Sequence, residues 1–298
     1  MSLPKVVIIL GPTASGKTAL SIRLARKFDG EVISADSRQV YKGLDIGTGK
    51  VTKREMQGVP HYMLSIVSPK KAFTAAQFAQ KARRIAADII KRGKMPIVCG
   101  GTGFYIDAFL GKIVLPQVPP NPLLRKSLEK TTVAEMFARL QKQDPIRAAA
   151  IDSNNPRRLI RALEIAEALG TSPVATDDLL YEPLWIGLSW PQTSLDKRIK
   201  SRLLARMRSG MLKEAQRLRK SGLSFKRMEE LGLEYRAMAR HLKGEVTRVQ
   251  MTEELFRDIR RYSKKQILYW NRNKDIEWFR GQSAKASHTS VQRFISRT

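Results

Sequence analysis

Apolar and polar positions fall into two regimes along this chain. In the first third, short apolar runs alternate with longer segments of helical period. Val6-Val7-Ile8-Ile9-Leu10, Glu31 to Ser34 and Met95 to Cys99 read as strands, with helices over Ala19 to Phe28 and from Thr74 to about Arg92. Unbroken apolar runs suit strands covered on both faces, so the pattern predicts a parallel sheet flanked by helices. Thr74-Ala75-Ala76-Gln77 has the capping-box pattern, and Gly93 stops the helix it opens. Residues 116–122, Pro-Gln-Val-Pro-Pro-Asn-Pro, then break the rhythm as a stiff connector. Beyond them the period is helical: Leu123 to Lys130, Val133 to Lys142, and a helix opened by Asn155-Pro156 and closed by Gly170. Leu159, Leu163, Ala166 and Leu169 form the apolar stripe of that last helix, and Arg157, Arg158 and Arg161 crowd its first turns. Leu184 to Trp190 reads as a returning strand, followed by a basic helix around Lys197 to Lys220.

Residues 11 to 18, Gly11-Pro12-Thr13-Ala14-Ser15-Gly16-Lys17-Thr18, give the first strand its meaning. A strand feeding a glycine-rich turn that opens a helix aims backbone N–H groups and the helix dipole at one anion, so a di- or triphosphate is expected there. Lys17 supplies a cation, and the Thr18 hydroxyl can reach a magnesium ion, the expected cofactor. The predicted fold is therefore α/β, with a P-loop-type parallel sheet core flanked by helices and an α-helical insertion domain. Its expected parts are 1–116 and 184–281 for the core, 117–183 for the insertion, and 282–298 for a flexible tail in which Val291, Phe294 and Ile295 could form a short helix. Ligands of such sheets bind beyond the carboxyl ends of the strands, so the loops after Leu10, Ser34 and Cys99 should face one crevice. Asp36, just past the second strand, could there support the magnesium shell or accept a proton, or it could simply form a turn. The strand ending at Cys99 runs into glycine where a motor-type nucleotidase carries its aspartate, so ATP hydrolysis is disfavoured.

Charge then narrows the ligand. Lys plus Arg number 55 against 27 Asp plus Glu, a formal charge of +28, as expected of a chain that meets nucleic acid. Ten basic residues lie between Lys197 and Lys220, and seven more between Arg257 and Lys274 are interleaved with Tyr262, Tyr269 and Trp270. No long apolar run or cleavable signal pattern is present, so a cytoplasmic protein without membrane contact is expected. The single cysteine, Cys99, excludes an internal disulfide, and three histidines make a histidine metal cluster improbable.

Four ordered motifs now resemble one family: the phosphate loop, Ser34-Ala35-Asp36-Ser37-Arg38-Gln39-Val40-Tyr41 with its continuation to Thr48, Gly100-Gly101-Thr102-Gly103-Phe104-Tyr105, and Arg158-Leu159-Ile160-Arg161-Ala162-Leu163-Glu164. Together they look like the tRNA dimethylallyltransferases over roughly residues 5 to 279. The resemblance implies transfer of a dimethylallyl group from its diphosphate to the exocyclic amine of the adenosine just 3′ of the tRNA anticodon. It makes residues 11–18 the diphosphate cradle and Asp36 the proton acceptor, acting with Lys17 and Thr18. It also implies tRNA contacts at Asp36, Ser37, Arg38, Gln39, Thr102, Arg125, Arg157, Arg158, Leu159, Ile160 and Arg161, with the insertion closing over the anticodon stem-loop. Such an enzyme is expected to work as a monomer without an obligate protein partner.

Three stretches depart from the family pattern. Pro60-His61-Tyr62-Met63-Leu64-Ser65 replaces the usual Pro-His-His-Leu-Ile-Asp, which leaves His61 without an assigned role. The segment Ile259 to Trp270 and the expanded Gly232-Leu233-Glu234-Tyr235-Arg236 also differ, leaving the tRNA contacts of 232–272 and the placement of Arg236 open. Rival readings are a small-molecule P-loop kinase, which needs no such charge, a non-catalytic RNA-binding protein, which leaves Lys17 and Thr18 idle, and an adenylate isopentenyltransferase using free nucleotide, against which the arginine-rich insertion argues.

Overall fold

The computed structural model describes residues 2–173, 179–281 and 284–296. Strands β1 (Lys5–Leu10), β2 (Gly30–Ser34), β3 (His61–Tyr62), β4 (Met95–Cys99), β5 (Glu182–Ser189) and β6 (Glu277–Arg280) form one parallel sheet in the order β3-β2-β4-β1-β5-β6. β1 is central, and its alternate residues serve two cores. Val6, Ile8 and Leu10 pack with Phe78, Phe109 and Trp270 on one face, while Val7 and Ile9 pack with Leu20, Leu24 and Ile186 on the other. A strand wanted by apolar layers on both sides has no polar alternation, which is why its run is unbroken.

Helix α1 (Lys17–Lys27) follows β1, α2 (Lys53–Met56) precedes β3, and α3 (Ala75–Lys91) and α4 (Gly103–Leu110) bracket β4. Thr74 caps α3 as the sequence suggests, its side chain accepting from Gln77 N–H while the Gln77 side chain accepts from Thr74 N–H. Helices α5 (Pro122–Leu128), α6 (Val133–Gln143), α7 (Pro145–Ala150) and α8 (Pro156–Leu169) make a separate compact unit, Gly111–Asp178, with its own apolar centre of Leu124, Met136, Leu140, Leu159 and Leu163. Both ends of this unit fall a few residues ahead of the expected 117–183. Leu180 N–H donates to Leu110 O at 3.0 Å, so the chain leaves and rejoins the sheet unit at that point.

After β5 come α9 (Gln192–Arg208), α10 (Met211–Lys220), α11 (Phe225–Glu230), α12 (Leu233–Leu242) and α13 (Arg248–Trp270), then β6 and α14 (Ala284–Ser296). Two expectations are corrected here. The basic helix expected over 197–220 is two helices, because Gly210 takes φ 96° and turns the chain. The expected flexible tail contains α14, whose Val291 (1% exposed) and Phe294 (5%) are buried, and Lys5 Nζ donates to Phe294 O at 2.9 Å. Val291 joins the core beneath β1, an apolar anchor that outweighs the polar residues around it. Residues 282–283 and 297–298 of that tail lie outside the described residues. No helix among the described residues is long and apolar enough to cross a membrane.

Candidate diphosphate and nucleic-acid site

The loop between β1 and α1 has the backbone that anion capture requires. Gly11 takes φ 140°, and a Cβ there would stand 2.6 Å from Leu188 O on β5, so only glycine fits. Ala14 and Gly16 also have positive φ, 61° and 100°, which turns successive amides toward the loop's interior. Lys17 folds back over the loop, donating from Nζ to Gly11 O (2.9 Å) and Pro12 O (2.7 Å). Burial lowers its pKa to about 8, with Arg202 pushing the same way and Cys99 and Asp36 opposing. Thr18 lies in the first turn of α1 and lines the cavity described below, and Ser15 Oγ is buried without a hydrogen-bond partner. Of the two residues, Thr18 is the one placed to meet a ligand in that cavity. Thr13 stands apart, since its N–H is already taken by Gln266 Oε1 at 2.8 Å.

The three loops converge as expected. Thr13, Ala14, Gly16, Lys17, Thr18, Ser34, Asp36, Gln39, Cys99, Gly100 and Gly101 line one cavity of about 1150 Å³. Asp36 divides its carboxylate between two tasks. Oδ1 accepts Arg38 N–H (2.8 Å) and Gln39 N–H (3.2 Å), the turn-forming role, while Oδ2 has no hydrogen bond among the described residues. One oxygen thus anchors the side chain and the other meets no donor among the described residues. Thr102 Oγ1 accepts Ser37 N–H at 3.1 Å, and Thr102 N–H donates to Ala35 O at 3.2 Å, so Thr102 grips both neighbours of Asp36. Arg38 Nη1 donates to Glu230 O (3.1 Å), and the half-buried Ser37, Arg38 and Gln39 edge the same region.

Several residues of the cavity belong to none of the sequence motifs. Arg202 donates to Gly49 O (3.1 Å), lines the cavity and forms no ion pair among the described residues. Burial, and then the neighbouring Arg206, hold its pKa down. A cation so placed lacks only an anion. Arg198 Nε donates to Ala14 O (2.7 Å) and its guanidinium lies 4.3 Å from the Trp190 ring, whose Nε1 donates to Ser15 O (2.9 Å). These two side chains hold the outside of the phosphate loop. The available signal is spacing: Arg198, Arg202 and Arg206 recur every four residues, beside the core stripe Leu195, Ile199, Leu203 and Met207. Tyr262 and Gln266 of α13 also line the cavity.

The separate helical unit treats its arginines differently. Glu164, its side chain wholly buried, receives Arg125 through two bonds (2.7 and 3.0 Å), Arg161 Nη1 at 3.2 Å and Asn121 N–H at 2.9 Å. Arg161 also donates to Val118 O at 2.9 Å. Arg125 and Arg161, read from the sequence as RNA contacts, are thus engaged in holding the proline-rich connector and α5 to α8. Leu159, read likewise, is fully buried in the unit's core, whereas Ile160 is half-buried and packs against that core. Arg157 and Arg158 are exposed.

Among the described residues no group of three or more His, Cys, Asp or Glu could hold a metal ion. A site built on one hydroxyl suits magnesium bound chiefly through phosphate oxygens and water.

Comparison with known proteins agrees with this geometry. The profile of the IPP transferase family matches residues 39–274. A tRNA dimethylallyltransferase of Anoxybacillus flavithermus is 38% identical over 281 residues, covering 92% of this chain and 90% of that protein. The crystal structure of a tRNA delta(2)-isopentenylpyrophosphate transferase from Staphylococcus epidermidis superposes with a TM-score of 0.73 at 33% identity, covering 98% of this chain and 99% of that one. A eukaryotic dimethylallyltransferase acting on tRNA superposes with a TM-score of 0.81 at 26% identity, covering 98% and 78% of the respective chains. With its phosphate loop, its anchored aspartate and this breadth of similarity, the chain belongs to the IPP transferase family, the tRNA dimethylallyltransferases.

Proposed function

We propose that the chain transfers a dimethylallyl group from dimethylallyl diphosphate to the exocyclic amine of the adenosine 3′-adjacent to the tRNA anticodon, releasing diphosphate and leaving isopentenyladenosine. The observation that carries this reading is one cavity in which Lys17 and Arg202, bonded only to backbone carbonyls among the described residues, meet a carboxylate oxygen free to take a proton, Asp36 Oδ2. The phosphate loop and these cations bind the diphosphate and stabilise the charge that grows on it as the allylic carbon–oxygen bond breaks. Thr18 would hold magnesium with the diphosphate oxygens, and the ion supplies further charge stabilisation to the leaving group when bound.

The adenine amine is a weak nucleophile until its proton has somewhere to go. As its nitrogen bonds to the allylic carbon, the proton passes to Asp36 Oδ2, while the Oδ1 bonds and the Thr102 grip hold that carboxylate still. An enzyme acting on a loop base accepts it unstacked, and Tyr262 in the cavity lining offers a ring against which it can lie. Arg157 and Arg158 supply contacts to RNA phosphates, and the reaction takes place in the cytoplasm without a protein partner.

The direct test incubates the protein with magnesium, radiolabelled dimethylallyl diphosphate and total tRNA, then locates the label. Label on the adenosine beside the anticodon is expected. Label on free adenylate but not on tRNA would overturn the choice of acceptor, and ATP turnover with a small acceptor would favour a kinase.

A further inference from the structure

Gln266 lies on α13, 6% exposed, and spends both ends of its amide on loops from two different strands. Its Oε1 accepts Thr13 N–H of the phosphate loop at 2.8 Å, and its Nε2 donates to Gly101 O at 3.0 Å. The strands that carry these loops, β1 and β4, are neighbours, and Gly100 N–H to Ile9 O (3.1 Å) is the last backbone bond between them. Past that bond the loops diverge, and among the described residues the Gln266 amide is the hydrogen-bonded link that spans them.

What lies beyond Gly101 gives the link its consequence. Thr102 holds Ala35 O with its N–H and Ser37 N–H with its hydroxyl, so the residues on either side of Asp36 follow the position of residues 101 and 102. We infer that Gln266 is a positioning residue: it sets the distance between the phosphate loop and the Thr102–Asp36 assembly, hence between the leaving group and the proton acceptor. The inference rests on the prenyl-transfer reading above. A primary amide is suited to the task because it accepts at one end and donates at the other, which neither a carboxylate nor a hydrocarbon can do. Gly101 is part of the device, since a Cβ there would fall on Gln266 Nε2.

The test separates chemistry from binding. In Gln266→Leu, the single-turnover rate of dimethylallyl transfer should fall about hundredfold, the cost of misplacing reacting groups by an ångström, while the Kd values for dimethylallyl diphosphate and for tRNA each move less than about threefold. Gln266→Glu keeps the bond to Thr13 N–H but sets an acceptor against Gly101 O, and it should slow transfer by about tenfold, a smaller loss of the same positioning. Gly101→Ala should reproduce the Gln266→Leu defect in the wild-type background by pushing the amide aside, and should add nothing to Gln266→Ala, where the space is open. A merely structural role would lower the melting temperature and leave the rate per folded molecule alone. Transfer within about threefold of wild type in Gln266→Leu, a loss confined to the Kd values, or multiplying effects of Gly101→Ala and Gln266→Ala would each overturn the inference. Failure of the wild-type protein to label tRNA would instead overturn the prenyl-transfer reading.

Discussion

Arginine does opposite work in the two compact units. In the sheet unit, Arg202 faces a cavity with a backbone carbonyl as its protein partner, beside a Lys17 whose own bonds are to carbonyls. In the helical unit, Arg125 and Arg161 converge on the buried Glu164. The same side chain is thus left short of an anion in one place and supplied with one in the other. What differs is a buried carboxylate. Where a cation cluster has none, the missing charge is that of a ligand; where it has one, the cluster is part of the fold. Within the helical unit Arg157 and Arg158, exposed and outside the Glu164 network, keep the freedom a phosphate backbone needs.

The sharpest way to break this comparison is to remove a carboxylate that lines the cavity beside the phosphate loop. Asp36→Ala should slow single-turnover transfer by about a thousandfold while tRNA affinity stays within a few-fold, because a proton acceptor is lost and little charge attraction. An unchanged rate would remove Asp36 from the chemistry. Next in size are the cavity cations. Lys17→Ala and Arg202→Ala should each cost about a hundredfold in transfer and weaken dimethylallyl diphosphate binding as well, since both meet the bound and the departing anion. Wild-type values in both assays would place the diphosphate elsewhere.

Titration should sharpen the same point. Burial lowers the Lys17 pKa to about 8, so above that pH the unliganded protein carries a neutral amine that must gain a proton to meet the diphosphate. Affinity for dimethylallyl diphosphate should therefore fall as pH rises beyond about 8, approaching tenfold per pH unit, and the dependence should vanish in Lys17→Ala. Equilibrium dialysis between neutral pH and mildly alkaline pH reads this directly.

The smallest effect divides the arginines of the helical unit. Replacing Arg157 and Arg158 together should weaken tRNA binding about fivefold and flatten its log–log salt dependence by about 1.5, with the melting temperature unmoved. Arg161→Ala should do the reverse, destabilising that unit by about 2 kcal/mol because Glu164 loses a partner in a buried site, with little change in the salt slope. If Arg161→Ala flattens the slope as the double variant does, the paired arginines also touch RNA and the comparison fails.

Much of this architecture is legible in the sequence. The eight residues from Gly11 to Thr18, the unbroken run before them and the capping box at Thr74 are local features: each depends on backbone geometry and on neighbours within a turn or a strand. Asp36 is legible by its place after the second strand, though not the division of its two oxygens. Arg125, Leu159 and Arg161 enter as RNA contacts through the family resemblance, which does not reveal which of them meets a core or a buried partner. Glu164, in the same helix as Arg161, is what engages the two arginines. It is buried, and a buried carboxylate recruits whatever cations lie in reach.

The chain's local patterning by itself therefore determined the parallel sheet, the glycine-rich loop at its carboxyl edge and the helical insertion, because short-range sterics and hydrophobic periodicity suffice for them. Only the tertiary structure decided which cations stayed unpaired, since that depends on partners remote in sequence. Arg202 meets a carbonyl 153 positions away, and Gln266 meets the phosphate loop across 253. The α14 helix followed the same logic: Val291 is buried in a core built from remote segments, and Lys5, at the other end of the chain, donates to Phe294 O. Packing selects such contacts from many that composition allows, and no periodicity along the chain encodes the choice.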